Sequence, residues 1–240
     1  MVIGLVSAKG APGVTAAALA LAAATGDGGL LVELDPSGGS VECWTGPAGE
    51  PGLIRVASGL RRSVDPGALL SHAVEVARGL RAVLAPTVGG LAESTIAAVA
   101  DRLVPALAGL DGTVIIDAGR WSPSQPTARR LVGCDVVGVV CAPTVEGVEA
   151  ARWLVEALET ARAGRVVAMP VGDRPYGPDE IEEAIGLPVL GPLAWDPRGL
   201  HALVTAGTGR GWVRSALARS ARTIGNSLAG GVEGVVMGRA

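Results

Sequence analysis

One stretch near the start of the chain restricts the possible folds strongly. Residues 2–6 are apolar, a loop with Gly10, Pro12 and Gly13 follows, and an alanine- and leucine-rich run comes next, in which Thr15 is predicted to open a helix. A strand, a glycine-rich loop and a helix in this order direct backbone N–H groups towards one point, where an anion can bind. The stretch therefore predicts a phosphate-binding loop.

The loop departs from the usual phosphate-loop pattern at two positions. Ala8 stands where the pattern has glycine and Val14 where it has lysine, whereas Gly13 and Thr15 satisfy it. The chain has 20 basic residues, and Lys9, inside the loop, is the only lysine among them. Because lysine and arginine differ in hydration and geometry, this choice favours a need for a compact, flexible ammonium group. A glycine-rich turn with a chance lysine is the alternative.

The segment Lys9-Gly10-Ala11-Pro12-Gly13-Val14-Thr15 resembles the deviant Walker A loop, KGGxGKT, of the ParA/MinD superfamily of ATPases. The resemblance places Lys9 on the additional early lysine of that superfamily and Thr15 on the residue that ligates magnesium. Val14 replaces the lysine that normally holds the β- and γ-phosphates, which affects hydrolysis more than fold. The residues that the resemblance assigns to nucleotide binding in the loop are Gly10, Ala11, Pro12, Gly13, Val14, Thr15 and Ala16.

Two acidic residues follow apolar runs further along the chain. Residues 30–34 end at Asp35, and residues 112–116 end at Asp117. The resemblance places Asp35 near the magnesium and the attacking water, with Glu33 in place of an earlier aspartate, and it makes Asp117 the Walker B carboxylate that orders magnesium. Lys9 and Asp35 are then the catalytic candidates, and Thr15, Asp35 and Asp117 are the metal candidates. The alternatives are a turn residue at Asp35 and a capping or surface acid at Asp117.

Strand-like and helix-like segments alternate over residues 1–206. Besides the elements above, the pattern predicts helices at 66–78, 91–110, 145–163 and 178–186, and strands at 80–86, 135–144, 166–171 and 187–193. This order predicts an α/β P-loop domain with a mainly parallel sheet and helices on both faces. We expect one domain over residues 1–229 and a flexible tail over 230–240.

Two later segments carry further candidates. In the superfamily, the loop at residues 172–177 contacts the base, so Asp173 and Arg174 are candidates for the adenine side. A last helix at 212–229 places Arg214, Arg219 and Arg222 opposite an apolar stripe. We expect this helix to pack on the sheet with a solvated basic face. Binding to DNA or to a membrane surface through these arginines is the alternative.

Composition excludes several classes of function. A net charge of −3 gives no overall attraction to nucleic acid or to anionic membranes. Three cysteines without metal-type spacing, and an N-terminal apolar run interrupted at Lys9, predict a reduced, cytoplasmic protein without a targeting or transmembrane segment. The two histidines do not lie near a nucleophile pattern, so serine- or cysteine-dependent hydrolysis finds no support.

The resemblance implies a function that depends on ATP or ADP with Mg²⁺. It implies a homodimer in which Lys9 reaches phosphate in its own or the partner subunit, together with a protein partner, and Val14 predicts weak or absent hydrolysis. The first interpretation is a positioning or partitioning switch for a chromosome, a plasmid or a cellular machine. The second is a non-catalytic scaffold or regulator of a pilus or secretion apparatus. The third is a metabolic P-loop enzyme, such as an amidoligase or kinase, for which residues 36–63 offer no specific support.

Overall fold

The computed structural model describes residues 1–9, 13–25, 29–46, 52–60, 66–122, 130–160 and 164–236. Gly10, Ala11 and Pro12, three predicted loop residues, lie outside this part of the chain. The strands within it are β1 Val2–Ser7, β2 Leu30–Glu33, β3 Val74–Ala77, β4 Leu80–Val83, β5 Val114–Arg120, β6 Val136–Cys141 and β7 Arg165–Pro170. The helices are α1 Val14–Ala24, α2 Val41–Thr45, α3 Gly52–Leu60, α4 Pro66–Ser71, α5 Gly89–Leu107, α6 Val145–Thr160, α7 Pro178–Ile185, α8 Pro197–Ala206, α9 Arg210–Val213 and α10 Ala216–Val236.

The strands form one sheet in the order β3-β4-β2-β5-β1-β6-β7. All neighbouring strands are parallel except β3 and β4. Side chains of β1 alternate between two apolar cores, since Val2 and Val6 face one and Ile3 and Leu5 face the other. Helices α3, α5, α6 and α7 cover the first face, and α1, α8, α9 and α10 cover the second. The predicted α/β fold, a mainly parallel sheet with helices on both faces, is confirmed.

The predicted helix at 66–78 is wrong in its second half. Helix α4 ends at Ser71, and residues 74–77 form β3, an edge strand that runs antiparallel to β4. A two-residue turn at Arg78 and Gly79 connects them, and Gly79 has a φ of +76°. Such turns need positive φ, which glycine adopts without strain. Helix-type apolar spacing across 66–78 concealed this hairpin.

The predicted strand at 187–193 is reduced to two isolated bridges. Val189 pairs with Ala168, and Leu193 pairs with Val171. Pro188 and Pro192 flank these positions and have no N–H group to donate, so a continuous ladder cannot form. The segment still follows the edge of β7, because the N–H of Leu193 donates to the carbonyl of Pro170 at 2.9 Å.

The C-terminal region contains two helices where the sequence predicts one. Residues 212 and 213 belong to α9, and α10 begins at Ala216 and continues to Val236, beyond the predicted end at Ala229. Asp196 joins this region to α8, since its carboxylate accepts N–H groups of Gly199 at 2.8 Å and of Ala216 at 2.9 Å. No helix in the described part of the chain is long and apolar enough to span a bilayer.

Candidate functional site

The site begins where β1 turns into α1. Gly13 precedes the helix with φ +91° and ψ +38°, a left-handed conformation that glycine adopts without a steric penalty. The first intrahelical bond joins the N–H of Ala17 to the carbonyl of Gly13 at 2.8 Å, and no side chain caps the helix. The N–H groups of residues 14–16 therefore point out of the helix end, where they can bind an anion.

A cleft of about 280 Å³ opens at this helix end. It lies at the carboxyl edge of the parallel strands, where α/β sheets usually bind ligands. Four predicted nucleotide residues, Gly13, Val14, Thr15 and Ala16, line it together with Asp35. The other lining residues in the described part of the chain are Ser7, Ser37, Trp44, Gly119 and Arg120.

Asp117 lies on β5, close to Thr15 and Asp35. It is 1% exposed, its carboxylate lies close to the Thr15 hydroxyl, and Oδ1 accepts the N–H of Gly119 at 3.0 Å. Burial raises the pKa of Asp117 to about 7, an effect that the Thr15 hydroxyl and the Gly119 N–H oppose and that the negative charges of Glu33 and Asp35 reinforce. A buried carboxylate beside two other acids would be stabilised by a cation.

Asp35 follows β2 at the mouth of the cleft. Its side chain is half-buried, and Oδ1 accepts the N–H of Ser37 at 2.8 Å. The bond has the geometry of the turn that the alternative interpretation predicts, so Asp35 both closes a turn and lines the cleft. The structure thus brings together Thr15, Asp35 and Asp117, the three predicted magnesium residues.

The donor set suits magnesium only in part. Hydroxyl and carboxylate oxygens are the ligands that Mg²⁺ prefers. Among the described residues, however, no three acidic, histidine or cysteine side chains are arranged to hold a metal ion by themselves. Since Mg²⁺ usually keeps several waters and binds through one or two carboxylates plus substrate phosphates, the site fits magnesium that arrives with a nucleotide.

Glu33 has a different role from that of a metal-site acid. Its Oε1 accepts the N–H groups of Ser40 at 2.8 Å and Val41 at 2.9 Å, and Oε2 accepts the N–H of Ala85 at 3.2 Å. Burial raises the pKa of Glu33, although the three amides oppose that effect. Glu33 therefore fixes the start of α2 and the segment after β4.

Arg130 is a buried basic residue near Asp35 that the sequence analysis did not identify. It is 2% exposed, and Nη1 donates to the carbonyl of Leu34 at 2.6 Å, next to Asp35. Burial lowers the pKa of Arg130 to about 10, against the opposing effect of the Asp35 and Glu93 charges. No motif precedes Arg130 in the sequence, so only its tertiary neighbours identify it.

A second, apolar cleft adjoins the first. It also has a volume of about 280 Å³ and shares Gly13, Ala16 and Trp44 with the phosphate-side cleft. Its other lining residues are Val171, Leu193, Ala194, Trp195, Asp196, Pro197, Leu200 and Leu217. Asp173 and Arg174, the predicted adenine-side residues, are exposed and are not among these lining residues. The apolar lining suits a nucleobase better than the two charged side chains do.

Lys9 and Val14 occupy opposite environments. Lys9 is exposed, and it lies close enough to Glu146, at the start of α6, to influence that acid. The pKa of Glu146 lies below its usual value because of a hydrogen bond to its own backbone, a hydrogen bond from Thr144 and, last, the Lys9 charge. Val14, the first residue of α1, is 7% exposed and packs in the second apolar core, so position 14 contributes no charge to the cleft.

The three arginines proposed for DNA or membrane binding are exposed. Two of them have structural partners, since Arg219 donates to the carbonyl of Arg214 at 2.6 Å and Arg222 donates to that of Val213 at 3.1 Å. These bonds satisfy carbonyl groups at the end of α9. The contacts agree with a helix that packs on the sheet and has a basic outer face.

Comparisons with known proteins agree on the architecture. No protein-family model matches the chain, and no curated protein matches it. A ParA family ATPase from Chlorobium tepidum TLS has a TM-score of 0.76 at 19% identity, over 94% of this chain and 98% of its own. MinD from Pyrococcus horikoshii OT3, complexed with Mg-ADP, has a TM-score of 0.72 at 17% identity, over 95% of both chains.

A third solved structure is similar to a comparable extent. A Cyanothece McdA variant in complex with ATP has a TM-score of 0.68 at 17% identity, over 95% of this chain and 96% of its own. The identities are low, but each likeness extends over nearly the whole of both chains. The chain therefore has the fold of the ParA/MinD superfamily of P-loop ATPases.

Proposed function

We propose that this chain is a nucleotide-binding positioning protein. It binds ATP or ADP with Mg²⁺, forms a homodimer when it binds ATP, and acts through a protein partner to localise a chromosome, a plasmid or a cellular machine. The observation that supports the proposal most directly is the closeness of the Thr15 hydroxyl to the buried Asp117 carboxylate beside Asp35, in a cleft that begins at the left-handed Gly13. The relatives in fold include proteins solved with Mg-ADP and with ATP.

In this proposal, different residues bind the phosphates, the metal ion and the base. N–H groups of residues 14–16 hold phosphate oxygens, and Thr15 and Asp117 hold the metal ion, directly or through water. Bound magnesium would neutralise phosphate charge. Asp35, at the cleft mouth, is placed to orient a water molecule, and the neighbouring apolar cleft takes the base between Trp44 and Trp195.

Hydrolysis is weak or absent in this proposal. Val14 provides no ammonium group, so a charge-assisted contact to phosphate worth about 1.5–3 kcal/mol is missing. That loss corresponds to roughly ten- to a hundredfold in affinity or rate. The same observation favours a second candidate, a scaffold or regulator of a pilus or secretion apparatus that does not respond to nucleotide.

Light scattering and calorimetry of the purified chain test the proposal. We expect a monomer without nucleotide or with Mg-ADP, a dimer with Mg-ATP, and a measurable heat of binding for both nucleotides. Thr15→Val should abolish the magnesium-dependent part of binding, whereas Thr160→Val, at the end of α6, should leave it unchanged. A mass and a heat that do not respond to either nucleotide would overturn the proposal and favour the scaffold.

A further inference from the structure

Strand β5 has an irregularity next to the cleft. Leu5 of β1 pairs with Asp117, but Ser7 pairs with Arg120, so β5 has one residue more than β1 in this interval. Gly119 lies in the interval with φ +64°. A Cβ atom at Gly119 would overlap the carboxylate of Asp35, so the position is restricted by both conformation and space.

The irregularity determines which face of the sheet Arg120 lies on. In a regular parallel pair, the residue opposite Ser7 would be Gly119, because side chains alternate between the two faces. The additional residue moves Arg120 to that position, on the same face of the sheet as Ser7 and Asp117. Arg120 is exposed there and lines the cleft together with Thr15 and Asp35.

Arg120 brings a positive charge to the cleft. Arg120 is the only basic side chain among the described residues that line this cleft. Its guanidinium group forms no hydrogen bond or ion pair with any other described residue. Position 14, where phosphate loops have lysine, carries a buried valine. A planar guanidinium can bind two phosphate oxygens at once, and its charge does not depend on pH in the physiological range.

We propose that Arg120 binds the terminal phosphates of a nucleoside di- or triphosphate in this cleft and supplies the positive charge that position 14 lacks. The inference rests on the proposed nucleotide binding and identifies the phosphate chain as the group that Arg120 recognises. The bulge at Gly119 positions the arginine on the cleft side of the sheet, so the charge comes from β5 instead of α1.

Calorimetric titration of Arg120→Ala tests the inference, with Arg165→Ala as the matched control. Arg165 is also exposed, but it is the first residue of β7 and so lies at the amino end of the parallel strands, whereas Arg120 lies at the carboxyl end. We expect Arg120→Ala to weaken Mg-ATP and Mg-ADP roughly ten- to a hundredfold and to leave adenosine binding unchanged. We expect Arg165→Ala to bind all three ligands as the wild type does. Equal Mg-ATP affinity in Arg120→Ala and wild type would overturn the inference, and so would an equal loss for adenosine.

A rescue experiment examines the link to position 14. We expect Val14→Lys to restore most of the Mg-ATP affinity that Arg120→Ala loses, since Val14 lines the same cleft. If Val14→Lys folds, as circular dichroism would show, but restores no affinity, Arg120 does not supply the missing charge and that part of the inference is wrong.

Inorganic tripolyphosphate separates this inference from the proposed function. Wild type that binds tripolyphosphate but not Mg-ATP, with the binding lost in Arg120→Ala, would support Arg120 as an anion ligand and contradict the nucleotide proposal. Mg-ATP binding of equal strength in wild type and Arg120→Ala would keep the nucleotide proposal and overturn the role of Arg120. Wild type that binds neither compound would overturn both.

Discussion

At the scale of single residues, Gly119 controls the relative positions of Asp35 and Arg120. Its positive φ produces the additional residue in β5, and its missing side chain leaves room for the Asp35 carboxylate. This position therefore combines a positive φ with the absence of a side chain. A side chain at this position would therefore strain the backbone and displace one of the two cleft residues.

We expect Gly119→Ala to lower the free energy of unfolding by about 1–3 kcal/mol, through backbone strain and the overlap with Asp35. Urea denaturation measures the change. Gly225→Ala in α10 is the control, because a Cβ there meets nothing within 4 Å and alanine favours helix by about 0.5–1 kcal/mol. A Gly119→Ala protein as stable as wild type would contradict the strained position described above.

Asp117 makes stability depend on pH. Its pKa is raised from 3.8 to about 7, so between these values the folded chain holds a proton that the unfolded chain releases. Without nucleotide and metal, the free energy of unfolding should therefore fall as pH rises through this window and become constant above about 7. Glu33, whose pKa is also raised, acts in the same direction.

The Asp117→Asn variant should lose the Asp117 part of this dependence. Urea midpoints at several pH values between about 5 and 8 would show a smaller decline for the variant than for the wild type. Glu183→Gln, an exposed acid on α7, is the control and should follow the wild type. The same decline in wild type and Asp117→Asn would show that Asp117 titrates near its ordinary pKa.

At the scale of elements, Asp196 connects α8 to α10, two helices that are not consecutive in the chain. Besides Gly199 and Ala216, its carboxylate accepts the N–H of Leu217 at 3.4 Å, and Ser215 caps the same helix through the N–H of Ala218 at 3.0 Å. The bond from Gly199, followed by those from the α10 amides, keeps the pKa of Asp196 below its usual value. Asp196 thus aligns the first turns of α8 and α10 beside the apolar cleft.

We expect Asp196→Ala to cost about 1–2 kcal/mol of stability, as the loss of a helix cap does, and to weaken adenosine binding through the displaced cleft wall. Thermal unfolding and calorimetry measure the two effects. Asp111→Ala, in an exposed turn, is the control and should change neither. If Asp196→Ala weakens stability alone, the apolar cleft does not depend on this connection.

The sequence predicted the elements whose patterns are local. Thr15 lies in the first turn of α1, Asp35 follows β2, and Asp117 lies inside β5 after an apolar run. Local strand and helix patterns, together with the resemblance, were therefore enough to place them at one edge of the sheet. The hairpin at Gly79 and the interrupted strand at Pro188 and Pro192 were missed, because apolar spacing does not show where a backbone turns or lacks a donor. Arg130 and the apolar cleft depend on contacts between distant segments, which no local pattern encodes.

At the scale of the whole molecule, the two clefts lie between the sheet and elements distributed over most of the chain. Among the described residues, the phosphate side is lined by Ser7, by residues 13–16, by Asp35, Ser37 and Trp44, and by residues 119–120, and the apolar side adds residues between Val171 and Leu217. A ligand that spans both clefts would contact α1, α2, α8 and α10 at the same time. Binding should therefore stabilise the molecule as a unit.

We expect Mg-ADP at about a hundred times its Kd to raise the free energy of unfolding by about 2.7 kcal/mol. For a chain of 240 residues, this corresponds to an increase in Tm of roughly 5–10 °C. Differential scanning calorimetry with Mg-ADP, and with ADP and a chelator, measures the shift and its dependence on magnesium. An unchanged Tm at saturating Mg-ADP would contradict nucleotide binding across the two clefts.

The single lysine gives the molecule an unusual chemical handle. Lys9 is exposed beside the cleft, and the other amine of this chain is at Met1, whose ammonium donates to the carbonyl of Gly112 at 2.8 Å. Reductive methylation with isotope-labelled formaldehyde would therefore place one side-chain label in the whole chain, at the loop. Its resonance would report on events at the cleft without any engineered substitution, so spectroscopy of the natural sequence can follow the site directly.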